Sequence, residues 1–273
     1  MKYHIRKTAE GTFSIYDPIY KVGCHLLCGN QRALLIDTAF GGELKEAVRR
    51  CTDLPLIVAN THVHGDHSKG NELFDQPIYV GAGDLPDADR LSAYQSLIRE
   101  GTRVLRERYR FPQSLLACVN RRYVVDPTKN TYLPLPEEID LGNRRIDLYP
   151  MPGHTEGSVI FVDEQTATAF SGDAIAPTTW LFTDPATRIR RYAEQVESFA
   201  GSVGIQRIFP SHSRAVLPFS FVGDFAKTLR DLADLPSVHI PLRWDYGTVR
   251  IATDRRSSIC PIRVFYFDFQ LNQ

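Results

Sequence analysis

Residues 62–67 read His62-Val63-His64-Gly65-Asp66-His67, which places four potential metal ligands within six residues. The apolar run Leu56–Ala59 precedes them and predicts a buried strand. His62 and His64 alternate along an extended chain, so both imidazoles can project to the same side. Asp66 and His67 follow at a turn, and we expect a helix to begin near Ser68. Because a divalent cation needs several nitrogen and oxygen donors converging on one point, the segment predicts part of a metal site.

The alternative interpretation of this segment is a polar loop that happens to hold three histidines. The distribution of histidine along the whole chain argues against it. The chain has eight histidines, and five of them lie at positions that this motif and those below single out. We therefore interpret the segment as metal-binding.

Strand and helix patterns alternate on both sides of this segment, which favours an α/β or layered α/β/α domain. Ala33–Asp37 has the pattern of a buried strand, and the apolar spacing in Glu43–Cys51 predicts a helix. Further elements are predicted as strands at Thr12–Tyr16, Ile19–Cys28, Arg144–Tyr149, Val159–Val162 and Thr168–Phe170, as helices at Tyr192–Phe199 and Phe221–Leu235, and as one or two strands within Tyr246–Leu271. No linker is evident, so we expect a single domain over residues 1–273, with a C-terminal extension from about residue 237.

Residues 84–120 form the longest helical pattern, and their apolar stripe has to be buried against something. We interpret them as a helical insertion in the domain. One hypothesis is that the insertion lies over the mouth of the metal site and selects substrates, with Arg103 receiving an anionic group. The other is that it forms the interface of a homodimer.

Composition narrows the class of protein and its partners. Lys plus Arg and Asp plus Glu both total 32, so the net charge gives no reason to expect nucleic acid or an anionic membrane as a partner. No apolar run approaches the roughly 20 residues of a membrane span, and the N-terminus lacks the pattern of a signal peptide. The five scattered cysteines are typical of reduced thiols, so we expect a cytoplasmic protein that acts on a small molecule.

Further motifs follow in a fixed order, and together they resemble the metallo-β-lactamase superfamily. His-x-His-x-Asp-His is the signature of that family. The segment 152–158, Pro-Gly-His-Thr-Glu-Gly-Ser, resembles its Gly-His-Thr loop, 170–173 resembles its strand ending in a bridging aspartate, and 210–212 resembles its last histidine loop. Leu35-Ile36-Asp37-Thr38 is similar to its early strand, whose aspartate supports the metal site without binding metal. The likeness runs from about Val22 to Ala215.

The resemblance implies a four-layer αβ/βα sandwich with the site at one edge. It also implies two divalent cations, zinc above all and iron or manganese as alternatives. The first would be held by His62, His64 and His154, the second by Asp66, His67 and His212, and Asp173 would bridge them. Asp37 would support the site. The zinc β-lactamases lack a bridging aspartate, so the pattern is closer to glyoxalase II, RNase Z and the lactonases.

Hydrolysis is the chemistry that this donor set predicts. Two cations a few ångströms apart lower the pKa of a bridging water, and the resulting hydroxide can attack a polarised carbonyl group. We expect a lactone, ester, thioester or amide as substrate, with Asp66 also taking up the proton released in the reaction. The alternatives are a phosphodiesterase or nuclease on the same centre, an iron-dependent oxidoreductase of the same fold, and a non-catalytic relic. Trp180 and Phe182 could line the substrate pocket, although packing in the core is an equal alternative for them.

Overall fold

The computed structural model describes residues 3–17, 21–85, 130–181, 188–244 and 247–271. Only the first two residues of the predicted helical insertion fall in these ranges. Arg103 and Phe182, both predicted to lie at a substrate pocket, are outside the described residues.

The first sheet is antiparallel in its first half and parallel in its second. Its strands are β1 (His4–Ala9), β2 (Thr12–Tyr16), β3 (Gly23–Cys28), β4 (Ala33–Ile36), β5 (Leu56–Ala59), β6 (Ile78–Val80) and β7 (Tyr132–Pro134), and they lie side by side in chain order. β1 to β4 pair antiparallel, and β4 to β7 pair parallel. Because β4 and β5 are parallel, their carboxyl ends lie at the same edge of the first sheet.

The second sheet faces the first, and a third sheet is formed near the C-terminus. The second contains β8 (Glu138–Asp140), β9 (Arg145–Pro150), β10 (Val159–Asp163), β11 (Thr168–Gly172), β13 (Arg207–Pro210) and β14 (Leu217–Pro218), in the order β14-β13-β11-β10-β9-β8. The third contains β12 (Thr178–Trp180), β15 (Ser237–Trp244), β16 (Gly247–Asp254) and β17 (Ile262–Phe267), in the order β12-β17-β16-β15.

The α-helices in the described ranges are α1 (Leu44–Arg49), α2 (Gly65–Ser68), α3 (Ile189–Ser202) and α4 (Ser220–Arg230), and short 3-10 helices lie at Lys69–Leu73, Ala82–Asp84, Glu164–Thr166, Leu232–Asp234 and Asp268–Leu271. Three of these α-helices, α1, α3 and α4, pack on the outer faces of the two larger sheets. No helix in these ranges is long and apolar enough to cross a membrane.

The side chains of β10 show how the layers are ordered. Val159 and Phe161 pack between the two sheets, whereas Ile160 and Val162 pack in the cluster that also holds the buried faces of α3 and α4. This alternation is that of a strand with both faces buried. On the far side of the first sheet, α1 adds Leu44, Ala47 and Val48 to a third cluster. The layers therefore run helix, sheet, sheet, helix, and the expected αβ/βα sandwich is confirmed.

Two predicted boundaries need correction. The helix expected near Ser68 begins at Gly65, because the carbonyl oxygen of His64 already accepts hydrogen bonds from the N–H groups of His67 and Ser68. The helix expected to reach Leu235 ends at Arg230, where the chain leaves the helical conformation. Within Tyr246–Leu271 the two strands β16 and β17 agree with the prediction of one or two, whereas β15 (Ser237–Trp244) was not predicted.

His25 of β3 is a polar side chain in the core between the sheets. Its ring lies 4.7 Å from that of Phe170 and 5.3 Å from that of Phe209. Neither ring nitrogen has a hydrogen-bond partner among the described residues. Burial lowers the pKa of His25 to about 3, so the imidazole is neutral in the folded chain at neutral pH.

Candidate metal centre

The predicted ligands lie at one edge of the sandwich, in loops that follow strands of both larger sheets. β5 of the first sheet leads into residues 62–67. From the second sheet, β9 leads to His154, β11 to Asp173 and β13 to His212. Backbone bonds join these loops: the Val159 N–H donates to the Thr61 carbonyl at 2.9 Å. All seven residues are therefore brought to one place, although the first and the last are 150 positions apart in the chain.

Three histidines form the first group of donors. His64 Nδ1 lies 3.0 Å from His62 Nε2 and 2.9 Å from His154 Nε2. Zinc binds imidazole nitrogen at about 2.0–2.1 Å, so nitrogens that share one cation lie roughly 3 Å apart. The spacing in this group fits that requirement.

Asp66, His67 and His212 form the second group. Their ligand atoms all lie within 4.8 Å of one another. His212 Nε2 is 3.2 Å from Asp66 Oδ2, and His67 Nε2 is 3.9 Å from the same oxygen. One nitrogen from each histidine and one carboxylate oxygen thus face a common point.

Asp173 lies between the two groups. Its Oδ2 atom is 3.7 Å from His154 Nε2 in the first group, and 3.6 and 3.2 Å from His67 Nε2 and His212 Nε2 in the second. A single carboxylate thus faces both groups, which is the position that a bridging ligand requires.

Two buried polar atoms support the assignment of a cation to this site. Among the described residues, His67 Nε2 and Asp173 Oδ1 have no hydrogen-bond partner. A buried polar group without a partner costs about 1–3 kcal/mol. The donor set of imidazole and carboxylate suits zinc, iron or manganese, and a cation would satisfy both atoms. The residues present therefore fit a divalent metal.

The three histidines of the first group are neutral in this environment. Burial lowers the pKa of His62 well below its usual value, and the neighbouring imidazoles lower it further. Burial likewise lowers the pKa of His64 to about 3 and that of His154 below its ordinary range. A neutral imidazole keeps a nitrogen lone pair, so the group is ready to bind a cation without first losing protons.

In the second group, protonated histidines lie beside ionised carboxylates. Burial lowers the pKa of His212, but the charge of Asp173 outweighs it and raises the pKa to about 10. For His67, burial is outweighed in the same way by Asp173, Asp66 and Asp37, and the pKa is raised. Although burial opposes ionisation, His67 and His212 hold the pKa values of Asp66 and Asp173 below the usual range. Both carboxylates are thus ionised and available to a cation.

Two residues of the second group also face solvent. The side chains of His212 and Asp66 are 36% and 24% exposed, whereas those of His67 and His154 are 0% and 5% exposed. A substrate would therefore approach from the side of His212 and Asp66.

Asp37 lies directly behind the second group. Its Oδ2 atom is 2.9 Å from His67 Nδ1 and accepts the Thr61 hydroxyl at 2.9 Å, while Oδ1 accepts the Thr61 N–H at 2.7 Å. Asp37 is 1% exposed and has a φ of +62°, a conformation that aspartate and asparagine tolerate better than most residues. A carboxylate on Nδ1 leaves the Nε2 lone pair of His67 directed at the site.

The loop that carries His154 is held by its own hydroxyl groups. Ser158 Oγ accepts the Thr155 N–H at 3.0 Å and lies 2.8 Å from Thr155 Oγ1. His154 Nδ1 faces the backbone oxygen of Trp180 at 2.6 Å. Sequence reasoning missed this last contact, because a backbone carbonyl 26 residues away leaves no mark on the residue types.

A network of asparagines supports His67 and was also missed. The His67 carbonyl oxygen accepts the Thr38 N–H at 2.7 Å and the Asn60 side-chain amide at 3.2 Å. Asn71 joins them, since it accepts the Thr38 hydroxyl and donates to Asn60, each at 2.8 Å. Asn60 follows a buried strand, but one polar residue at a strand end is too common to serve as a signal.

Of the three residues predicted to line a substrate pocket, Trp180 is the one that lies in the described ranges. It is 37% exposed, and its ring stacks on that of Phe265 at 4.3 Å with the planes 9° apart. Its neighbour Leu181 is fully buried and packs in the core. The exposed arginines Arg188, Arg190 and Arg191 lie farther along the chain.

Comparison with known families and sequences agrees with this geometry. The family model described as the metallo-beta-lactamase superfamily matches residues 20–237. The human protein named acyl-coenzyme A thioesterase MBLAC2 is 28% identical over 233 residues, which cover 77% of this chain and 81% of that protein. The chicken protein of the same name is 26% identical over 225 residues, covering 74% and 78%.

Comparison with solved structures shows the same fold. A metallo-beta-lactamase family protein from Thermus thermophilus superposes with a TM-score of 0.59 at 19% identity, covering 84% of this chain and 81% of that one. At this identity the likeness concerns the fold alone.

Proposed function

Because the chain belongs to the metallo-β-lactamase superfamily, we propose that it is a hydrolase with two divalent cations, zinc foremost, that cleaves acyl thioesters of coenzyme A. The observation that carries the metal part is the seven-donor cluster with Asp173 between its two groups. The choice of a thioester among small carbonyl substrates is supported by the name of the relatives, acyl-coenzyme A thioesterase.

His62, His64 and His154 would hold one cation, and Asp66, His67 and His212 the other, with Asp173 shared. When bound, such cations lower the pKa of a water molecule and polarise an acyl oxygen. The buried histidines and Asp37 fix the donors before substrate arrives, so little reorganisation is needed during the reaction.

The residues of the open side would act on the substrate. Asp66 is ionised and partly exposed, so its carboxylate can accept the proton that water loses as it attacks the acyl carbon. The thiolate that leaves has a pKa near that of an ordinary thiol, about 8.5, and needs little help from an acid. The C–S bond breaks, and the products are a carboxylic acid and a free thiol. We propose that the exposed ring of Trp180 contacts the substrate beside His154.

The test is a substrate panel on protein loaded with zinc, manganese or iron. Release of free thiol from short and long acyl-coenzyme A esters is followed with a thiol reagent, and the metal content of each sample is measured. A lactone, a β-lactam and a phosphodiester serve as comparison substrates, and oxygen uptake tests the redox alternative. We expect thioester cleavage to depend on metal and to be faster than cleavage of any of the comparison substrates. Two bound cations with rapid phosphodiester cleavage and no thiol release would refute the proposed substrate.

A further inference from the structure

Asp84 is a buried carboxylate that joins two of the ligand-bearing loops. It is 7% exposed and ends the 3-10 helix Ala82–Asp84 that follows β6. Its Oδ2 atom accepts the Val63 N–H at 3.2 Å and the Thr155 hydroxyl at 2.8 Å. Its Oδ1 atom accepts the Gly157 N–H at 2.8 Å.

The residues that donate hydrogen bonds to Asp84 are next to the histidines of the first group in the chain. Val63 lies between His62 and His64, and Thr155 directly follows His154. The carboxylate of Asp84 thus spans the two chain segments whose histidine nitrogens lie 2.9–3.0 Å apart in the first group. A change in the separation of these segments would change the separation of the three nitrogens.

The backbone around Asp84 is pressed closely against the Gly-His-Thr loop. A Cβ atom on Gly81 would lie 2.0 Å from the Gly157 carbonyl oxygen, and one on Gly157 would lie 2.5 Å from Asp84 Cβ. Real Cβ atoms do not approach so closely, so glycine is required at both positions. Burial raises the pKa of Asp84, and its hydrogen bonds offset part of that cost. The buried carboxylate of Asp84 is therefore held in a fixed position against the Gly-His-Thr loop, although its burial is unfavourable.

We propose that Asp84 is a positioning residue, which holds the His62–His64 segment and the His154 loop at the spacing that a cation bound by the three histidines requires. The inference rests on the proposed function, since it concerns the first of the two cation sites. The contacts that support the second group are of a different kind: Asp37 and the asparagine network hold His67 there. Loss of Asp84 should therefore weaken one site selectively.

The variant that tests this is Asp84→Asn. An amide has one oxygen, so in either orientation its NH₂ group faces the N–H of Val63 or that of Gly157. Asp254→Asn is the control, because Asp254 is also a buried carboxylate, 3% exposed, that accepts a threonine hydroxyl at 2.9 Å and a backbone N–H at 2.9 Å; it differs from Asp84 in pairing with the Arg256 guanidinium as well. It lies at the end of β16, in the third sheet.

The readout is zinc affinity, measured by competition with a chelator and by counting bound ions in native mass spectra. Loss of a residue that orients a ligand typically lowers metal affinity about 10–100-fold. We expect Asp84→Asn to weaken one of the two ions by that amount, and Asp254→Asn to leave both affinities unchanged although its melting temperature falls. In a His212→Ala background, which impairs the second site, Asp84→Asn should weaken the ion that remains.

Milder substitutions keep the proposal testable if the asparagine variant does not fold. Thr155→Val removes one hydrogen bond to Asp84, and Thr228→Val removes the corresponding bond to Asp254. We expect a smaller loss of affinity for the first and none for the second. Unchanged affinities in Asp84→Asn, or an equal loss at both sites, would overturn the positioning role. Wild-type protein that binds none of zinc, manganese and iron would instead refute the proposed function itself.

Discussion

Replacing Asp37 by asparagine should weaken the second cation site and destabilise the fold, with the backbone left in place. Asparagine accepts the left-handed conformation that Asp37 adopts at φ +62°, so the change tests the carboxylate and not the backbone. Placed at Oδ1, the amide NH₂ would face the Thr61 N–H at 2.7 Å, donor against donor. Placed at Oδ2, it would face His67 Nδ1 at 2.9 Å and force the proton of that imidazole onto Nε2. A protonated Nε2 cannot bind a cation.

The size of the effect follows from these contacts. Hydrogen bonds to a charged group contribute about 1.5–3 kcal/mol each, and an unsatisfied buried donor costs about 1–3 kcal/mol. Since one hydrogen bond to a charged group is lost and one buried donor is left unsatisfied, we expect the free energy of unfolding of the metal-free protein to fall by about 2.5–6 kcal/mol. The affinity for the ion of the second site should fall about 10–100-fold.

Urea unfolding in the presence of a chelator measures the first quantity, and zinc competition measures the second. The matched control is Asp163→Asn. Asp163 is fully buried and pairs with Arg144 at 2.5 Å, in a contact that joins β10 to the start of β9. That variant should lose stability and keep both ions. If Asp37→Asn binds two ions as tightly as wild type, the role assigned to Asp37 is wrong.

Three shorter predictions concern other side chains. Asp66→Ala should lower kcat by about a hundredfold or more while the circular dichroism spectrum stays unchanged, and near-normal turnover would contradict a role in proton transfer. His25→Phe should reduce acid sensitivity. Because the pKa of His25 is about 3 when folded and about 6.5 when unfolded, the unfolded chain binds the extra proton as pH falls, and this group alone costs about 1.5 kcal/mol between pH 6.5 and 5. Urea unfolding at both pH values should show the difference, and the same change at exposed His4 should show none. Trp180→Ala should raise KM for acyl-coenzyme A esters about 2–10-fold at unchanged metal content, because the substitution keeps the backbone oxygen that faces His154; an unchanged KM would remove Trp180 from the substrate pocket.

The parts of the site that sequence predicted are those where residue type and local spacing carry the information. His62, His64, Asp66 and His67 are neighbours in the chain, so their convergence needs little beyond a strand and a turn. The αβ/βα sandwich was likewise predicted, because motif order identified the family. Asp173 and His212 were assigned by resemblance alone, and the structure places them beside the local cluster.

The parts that sequence did not predict depend on contacts across the fold. Asp84 stands at the first position of the predicted insertion, just after two glycines, and its partners Thr155 and Gly157 are more than 70 positions away. The start of α2 at Gly65 was missed because the His64 carbonyl closes the turn, and a glycine is a poor indicator of a helix start. Such contacts arise from packing and not from the pattern of residue types.

The division of the seven donors between two sheets has a consequence for how long the protein persists in a cell. An ion held by residues of both sheets would link the two sheets. When the free ion concentration is a hundred times the dissociation constant, binding stabilises the folded chain by about 2.7 kcal/mol. Proteases act on the small opened fraction, whose population falls about a hundredfold under that stabilisation. The abundance of this protein would then follow the supply of its metal, and scarcity would remove the enzyme itself and not only its activity.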